Sequence, residues 1–396
     1  MHFIKDILKN TFLTEFNFKN KYIFASILLS FFIILFYHLN IGYKMSPDSH
    51  NYSTWADDLI KLKFNLKEYY LQNNFIVSSF FYTTPVILVA FCKFFFGTEW
   101  QYAFLFLNML FLFLSLIIFA KSLLTLKVRP ILIFITMPTL VVSVDLLIWP
   151  RYILSDMGFA FLVILITHII IRCIVKNKFD YSIIFLLTLV ILISRPSSLP
   201  VVFAILSFLL ISKASIFKNI KLTFIIIFII FMLTPCMFTI LFYFIELNYS
   251  ENIQLSFLTE MVKSGMIIHD RPETWIAPPN AFIDILKRYF LRLVNFFNPY
   301  AESFSIIHII LNSFQFFLVL LSIITWILIG GNTKSIDRTI LFILLLSFSI
   351  ASFHTFTLID YDWRYRFPTI LPLIMILPLS MEIFLKKIIS NYYYKR

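Results

Sequence analysis

Charge is what this chain has least of. Only 14% of its 396 residues are charged and 60% are apolar, a balance that excludes a soluble globular domain. Cysteine is nearly missing. Cys92, Cys173 and Cys236 are odd in number, widely spaced and set in or beside apolar runs, so they read as small core residues and not as disulfides or metal ligands. Glycine occurs six times, while Ile, Lys and Asn abound, a bias expected of an AT-rich genome. The fifty Phe follow from the same bias and carry no functional weight. No Walker loop, dinucleotide fingerprint, nucleophile elbow or zinc motif occurs, which leaves a nucleotide-sugar donor and ATP-driven transport without support. His50, His168, His269, His308 and His354 show no metal-ligand spacing, and a divalent metal or other cofactor has no support either.

What the chain does have is a series of apolar runs of about 20 residues, each long enough to cross a hydrocarbon core roughly 30 Å thick. They recur from Tyr22 to Met381 with no long soluble segment between them. The reading is an all-α polytopic membrane protein, one domain over residues 1–396. Ten spans are expected, near 22–41, 101–120, 130–148, 155–173, 181–194, 199–212, 222–245, 303–329, 339–358 and 367–385. The stretch 76–96, interrupted by Pro85 and Lys93, is expected to dip into the membrane or lie on it without crossing.

The formal net charge of +12 suggests nucleic acid only until its distribution is seen. With ten spans and both termini cytoplasmic, the inner segments hold 19 basic and 5 acidic residues and the outer ones 14 and 16, as the positive-inside rule requires. Lys5, Lys9, Lys19 and Lys21 precede the first span, no small-residue cleavage pattern follows it, and it reads as a retained anchor. Phe3, Ile4, Ile7, Leu8 and Phe12 have the spacing of an amphipathic surface helix.

Two outer segments are long, 42–100 and 246–302. In the first, Trp55, Leu59, Leu62, Leu66 and Tyr69 recur at helical spacing and predict a surface helix. In the second, Phe282, Ile285, Leu286, Tyr289, Phe290 and Leu293 alternate with Lys287, Arg288 and Arg292, predicting a basic amphipathic helix at an interface.

This topology gathers Asp48, Asp156, Arg151, Arg195, Asp360, Asp362, Arg364 and Arg366 at or near the outer face. Asp48 and Asp156 each have a plain local reading as helix-start residues, since Ser46-Pro47 and Ser155 precede them. Asp145 adds a third carboxylate inside a span, where insertion costs roughly 2.5 to 3.5 kcal/mol. Arg195 interrupts an apolar hairpin at a Ser/Pro turn and could snorkel outward. Arg364 and Arg366 oppose the charge bias, and their planar forks of donors suit phosphate.

Taken in order, four patches resemble the GT-C superfamily of membrane glycosyltransferases, which includes protein O-mannosyltransferases and the aminoarabinose transferase of lipid A. Pro47-Asp48-Ser49 with Tyr52 and Ala56 resembles the acidic motif of the first outer loop, and Thr84-Pro85-Val86 through Gly97 the non-crossing helix after it. Arg151-Tyr152-Ile153-Leu154-Ser155-Asp156 is similar to the segment leading into the fourth span. Ser194-Arg195-Pro196 and Arg364-Tyr365-Arg366-Phe367-Pro368 resemble two later turns. The Asp48-Ser49 pair departs from the Asp-Glu of O-mannosyltransferases and points away from protein mannosylation.

The resemblance implies a GT-C-like fold and transfer of a sugar from a polyprenyl-phosphate donor to a glycan, lipid or protein acceptor. Transfer would occur at the outer face of a bacterial inner membrane. Asp48 is then expected as general base, with Asp156 orienting the acceptor or a neighbouring arginine. Arg195, Arg364, Arg366, Lys287, Arg288 and Arg292 are expected on the donor phosphate, and His50, Tyr52, Arg151 and Tyr152 as positioning groups. Two other readings stand beside it: a repeat-unit polymerase or ligase using lipid-diphosphate glycans, and a lipid-oligosaccharide flippase. Charges near the midplane and inverted repeats would mark the flippase.

Overall fold

In lipid an apolar run can satisfy its backbone only within itself, so each such run must be helical. The computed structural model describes residues 21–72, 80–213, 219–248, 253–268, 271–300, 302, 304–330, 333–357 and 363–394, and apart from short turns these are helices. The surface helix expected near the N-terminus, His269, Asp360 and Asp362 lie outside the described residues.

The first helix is α1 (Lys21–Ile41). The first long segment between spans holds α2 (Pro47–Lys61), α3 (Leu66–Gln72) and α4 (Thr83–Phe96). Then come α5 (Trp100–Thr125), α6 (Pro130–Val141), α7 (Val144–Ile148), α8 (Asp156–Lys176), α9 (Tyr181–Leu192), α10 (Ser198–Lys213) and α11 (Ile220–Asn248). The second long segment holds α12 (Ile253–Lys263) and α13 (Phe282–Phe297), followed by α14 (Ile306–Ile329), α15 (Lys334–Thr357) and α16 (Phe367–Tyr394).

Each expected span falls on a helix or a helix pair, but only seven described helical runs are long and apolar enough to cross a membrane. The pair α6 and α7, bent by 57° at residues 142 and 143, makes an eighth if it counts as one span. At 12 and 16 residues, α9 and α10 are shorter than a crossing helix. The α4 and α5 helices form one apolar run of 43 residues, about 64 Å if straight and about twice a hydrocarbon core, so a single crossing uses only part of it.

The surface helix expected from Trp55 to Tyr69 is two helices. Lys63 and Phe64 take φ of 51° and 61°, and this left-handed pair breaks the period after Leu62. Tyr52, Ala56 and Leu59 of α2 then pack with Tyr69, Val86, Val89 and Ala90 into a second core separate from that of the bundle.

Within the bundle α8, α15 and α16 are central, and α1, α11 and α14 present most of their surface outward. Glu382 of α16 is buried at one end, where it accepts from the Arg129 backbone N–H at 3.0 Å and pairs with Lys386 at 3.5 Å. Arg366 stands 16 residues earlier, about 24 Å of helix away, at the opposite end of the bundle.

Candidate functional site

At that opposite end three acid and arginine pairs form between segments far apart in sequence. Asp48 is reached first. Ser46 caps α2, its hydroxyl accepting from the Ser49 backbone N–H while Ser49 answers the Ser46 N–H at 2.9 Å, and Pro47 takes the first helical position. The capping work therefore falls to Ser46 and Ser49, which leaves the Asp48 carboxylate for another partner. That partner is Arg364, 316 positions later, whose Nη2 donates to Asp48 Oδ2 at 2.6 Å. Asp48 keeps 38% of its side chain exposed and Arg364 only 16%, so the carboxylate edge stays accessible while the guanidinium is enclosed.

The second pair is buried. Arg195 donates to Asp156 from the turn between α9 and α10, with side chains 3% and 1% exposed. Arg195 does not snorkel outward, because the carboxylate at the start of α8 holds it inside. The third pair joins Arg366 to Asp145 at 3.7 Å, and Arg366 also donates to the Asn298 carbonyl at 3.1 Å. Asp145 in turn accepts from Trp149 Nε1 at 3.1 Å, so a carboxylate costly to insert has two partners.

Tyr365, between the two arginines in sequence, is the centrepiece. The guanidinium carbons of Arg195 and Arg364 lie 4.8 and 5.2 Å from its ring centroid, and the His354 ring packs against it at 4.3 Å. Burial by itself would lower the Arg364 pKa, but Asp156 and Asp48 with Tyr365 outweigh it and raise it above the ordinary arginine value. Burial also drives the Tyr52 hydroxyl well above its ordinary pKa, with Tyr82 adding to the shift and the positive charge of Arg195 opposing it. The rings of Tyr52, Trp55 and Tyr82 approach one another at 5.4 to 6.1 Å and wall the same side.

A short strap fastens the Asp48 helix to the Asp156 segment. The Lys44 N–H donates to the Arg151 carbonyl at 3.0 Å, and the Lys44 carbonyl accepts from the Ile153 N–H at 3.1 Å. Asn108 of α5 backs this strap, its amide donating to the carbonyls of Pro150 and Tyr152 at 3.0 Å each. Lys44→Pro removes the first of the strap bonds without deleting a side chain in the cluster. The expected result is a loss of about 1 to 3 kcal/mol in thermal unfolding, against near-neutral Lys44→Ala; equal melting of the two variants would dismiss the strap.

The remaining expected residues fall elsewhere. Arg151 and Tyr152 belong to the strap, with Lys44 over the Tyr152 ring at 5.1 Å. His50 is exposed on α2, two residues from Asp48 and so on another face. Lys287 is exposed, whereas Arg288 and Arg292 are fully buried. Arg292 donates to the carbonyls of His354, at 3.0 Å, and Ile267. Arg288 reaches the Ala277 carbonyl at 3.4 Å, and burial pushes its pKa down to about 10. In α13 Arg288 and Arg292 lie on the buried face with Ile285, Tyr289 and Leu293, while Phe282, Ile283, Phe290 and Val294 are exposed, so of the three basic residues only Lys287 meets the surroundings.

Sequence reasoning missed Tyr82 and Asn108. A lone Asn inside the 26-residue apolar helix α5 was a legible signal, because an amide in a span needs a partner. Tyr82 carried none. Among the described residues no group of three His, Cys, Asp or Glu side chains is arranged to hold a metal ion.

Beside the third pair opens a cavity of about 730 Å³, with Asp145 and Arg366 at one end, mostly apolar side chains of α11, α13, α14, α15 and α16 elsewhere, and a few polar ones among them such as Asn312 and Gln315. The cluster thus combines accessible carboxylate, enclosed arginines and an apolar chamber large enough for lipid chains. No family model matches the chain, and neither a curated protein nor a solved structure matches it.

Proposed function

We propose that the chain is an integral membrane glycosyltransferase that moves a sugar from a polyprenyl-phosphate donor to an acceptor hydroxyl at the outer face of a bacterial inner membrane. The observation that best supports this reading is the Asp48 and Arg364 pair at 2.6 Å, a partly exposed carboxylate against a guanidinium from the other end of the chain. The resemblance of the four patches to GT-C enzymes supports it, since all four supply residues to this end of the bundle or to its strap.

In the resting cluster three carboxylates neutralise three arginines, so a phosphate must compete for a guanidinium already engaged. Arg364 is the one whose carboxylate partner is accessible. As the donor phosphate arrives, Arg364 exchanges Asp48 for a phosphate oxygen, and Asp48 is released as a base. The acceptor oxygen then forms its bond to the anomeric carbon, the bond from that carbon to the phosphate oxygen breaks, and the acceptor proton passes to Asp48. Polyprenyl phosphate leaves as an anion, so no carboxylic acid is needed to protonate it, unlike glycoside hydrolysis. Arg364, held charged by its neighbours, meets the developing negative charge. Asp156 touches Arg195 and acts through it as a positioning residue.

A single displacement inverts the anomeric centre. The test incubates the purified protein with a panel of polyprenyl-phosphate sugars and membrane acceptors and determines product anomeric configuration by NMR. Inverted product is expected; retained product would reject the single displacement, and no transfer from any donor would reject the reading.

A further inference from the structure

The transfer step leaves one buried side chain of the cluster unused. His354 stands near the end of α15, only 2% exposed, and neither of its ring nitrogens has a hydrogen-bond partner. Its ring packs on Tyr365 at 4.3 Å, with the rings of Phe353 and Phe296 at 5.4 and 6.2 Å. Its peptide carbonyl accepts from Arg292 Nε at 3.0 Å, which fixes the backbone that carries the ring. In such aromatic company a phenylalanine would pack as well. An imidazole leaves a donor and an acceptor unmet, a cost that a ring chosen for packing alone does not carry.

A matching group packs on the same tyrosine. Arg364 donates from Nη2 to Asp48, yet its Nε is buried and has no hydrogen-bond partner. The Arg364 guanidinium carbon is 5.2 Å from the Tyr365 centroid, so one ring carries both an unmet N–H donor and an unmet imidazole. The shape of the guanidinium says when the two can meet. Its Nη atoms form the fork that takes a phosphate end-on, and the Nε–H then lies along the side of the group. Asp156 is engaged by Arg195 and cannot receive that donor. Arg195 and Arg364 on Tyr365, with Arg292 on the His354 carbonyl, set three cations around the imidazole, whose part among them is to accept.

We propose that His354 is a positioning residue of the transfer reaction, accepting a hydrogen bond from Arg364 Nε once the guanidinium has exchanged Asp48 for the donor phosphate. Arg364 thereby gains a second seat, which keeps the cation on the phosphate and leaves Asp48 free as the base. This role rests on the donor-phosphate contact proposed for Arg364.

The experiment measures binding of a long-chain polyprenyl phosphate to the purified full chain by native mass spectrometry, with the phosphate-free polyprenol as control. Wild type, His354→Phe, Arg364→Lys and the double variant are compared, since lysine keeps the cation but has no counterpart of the Nε–H. His354→Phe is expected to melt no lower than the wild type, because two unmet nitrogens are gone. It should bind the phosphate about tenfold more weakly and the polyprenol equally well. The double variant should bind no more weakly than Arg364→Lys alone, as expected of two residues joined by one contact. Wild-type affinity in His354→Phe, a lower melting temperature, or losses that simply add in the double variant each overturn the proposal, as does a wild type that binds phosphate and polyprenol alike. Sugar transfer is measured on the same proteins. Coupled losses in a protein that transfers no sugar would keep this role for His354 on a bound phosphate and reject the glycosyltransferase reading, while transfer by the wild type with additive losses would do the reverse.

Discussion

Replacing Asp48 with Asn is expected to cut sugar transfer by about 10²- to 10⁴-fold, the usual contribution of a positioned general base, while the protein folds normally. The carboxylate is 38% exposed and bonds one arginine, and an amide oxygen can still accept that donor. Structural loss should therefore be small. Caps on α2 are supplied by Ser46 and Ser49, so the helix does not need the charge. The measurement is transfer rate against pH for wild type and variant, beside thermal melting. A variant that melts like the wild type and transfers as fast removes Asp48 from the chemistry. A variant that has lost both activity and its fold points instead to a structural pair.

The second large effect concerns the buried pair. Asp156→Ala is expected to destabilise the protein by about 3 to 5 kcal/mol, because it leaves the Arg195 guanidinium, 3% exposed, without its counter-charge. The double variant Asp156→Ala with Arg195→Met should recover much of that loss, since no buried charge is left behind. Unfolding of all three proteins by heat or denaturant decides the matter. If the double variant is no more stable than the single, the penalty lies in packing at the start of α8 and not in charge. Activity separates the roles further: the double variant should stay impaired, because Arg195 is one of the two cations over Tyr365.

These two outcomes distinguish carboxylates that look alike along the chain. Asp48 and Asp156 each stand in the first turn of a helix, one or two residues after a serine, and local physics assigns each the same modest task at a positive helix end. What separates them is which arginine reaches them and how much water remains. Asp48 meets Arg364 at the rim, and Asp156 meets Arg195 in the interior.

Several features were legible in the residues because they depend on short-range rules. Membrane-length apolar runs must be helical, so the helix positions followed from composition and length. A capping box at Ser46, a turn at Ser194-Arg195-Pro196 and paired arginines around Tyr365 were equally local. Other features were not. The helix expected from Trp55 to Tyr69 divides at Lys63 and Phe64, whose left-handed backbone no propensity announces. For α13 the period was right but the arginines were misplaced: Arg288 and Arg292 share the buried face with Ile285, Tyr289 and Leu293 and reach buried carbonyls, while Phe282 and Phe290 are exposed.

By itself the sequence determined that the chain is a bundle of apolar helices, with two long intervening segments and with carboxylates and arginines recurring near the ends of those helices. Such facts rest on hydration of the backbone and on helical period, which act within a few residues. Only the tertiary structure decided that Asp48 pairs with Arg364, Asp156 with Arg195 and Asp145 with Arg366. The physical reason is that charge pairing in a low-dielectric interior is settled by which helices pack side by side. Packing among lipid-facing helices depends on shape over the whole bundle.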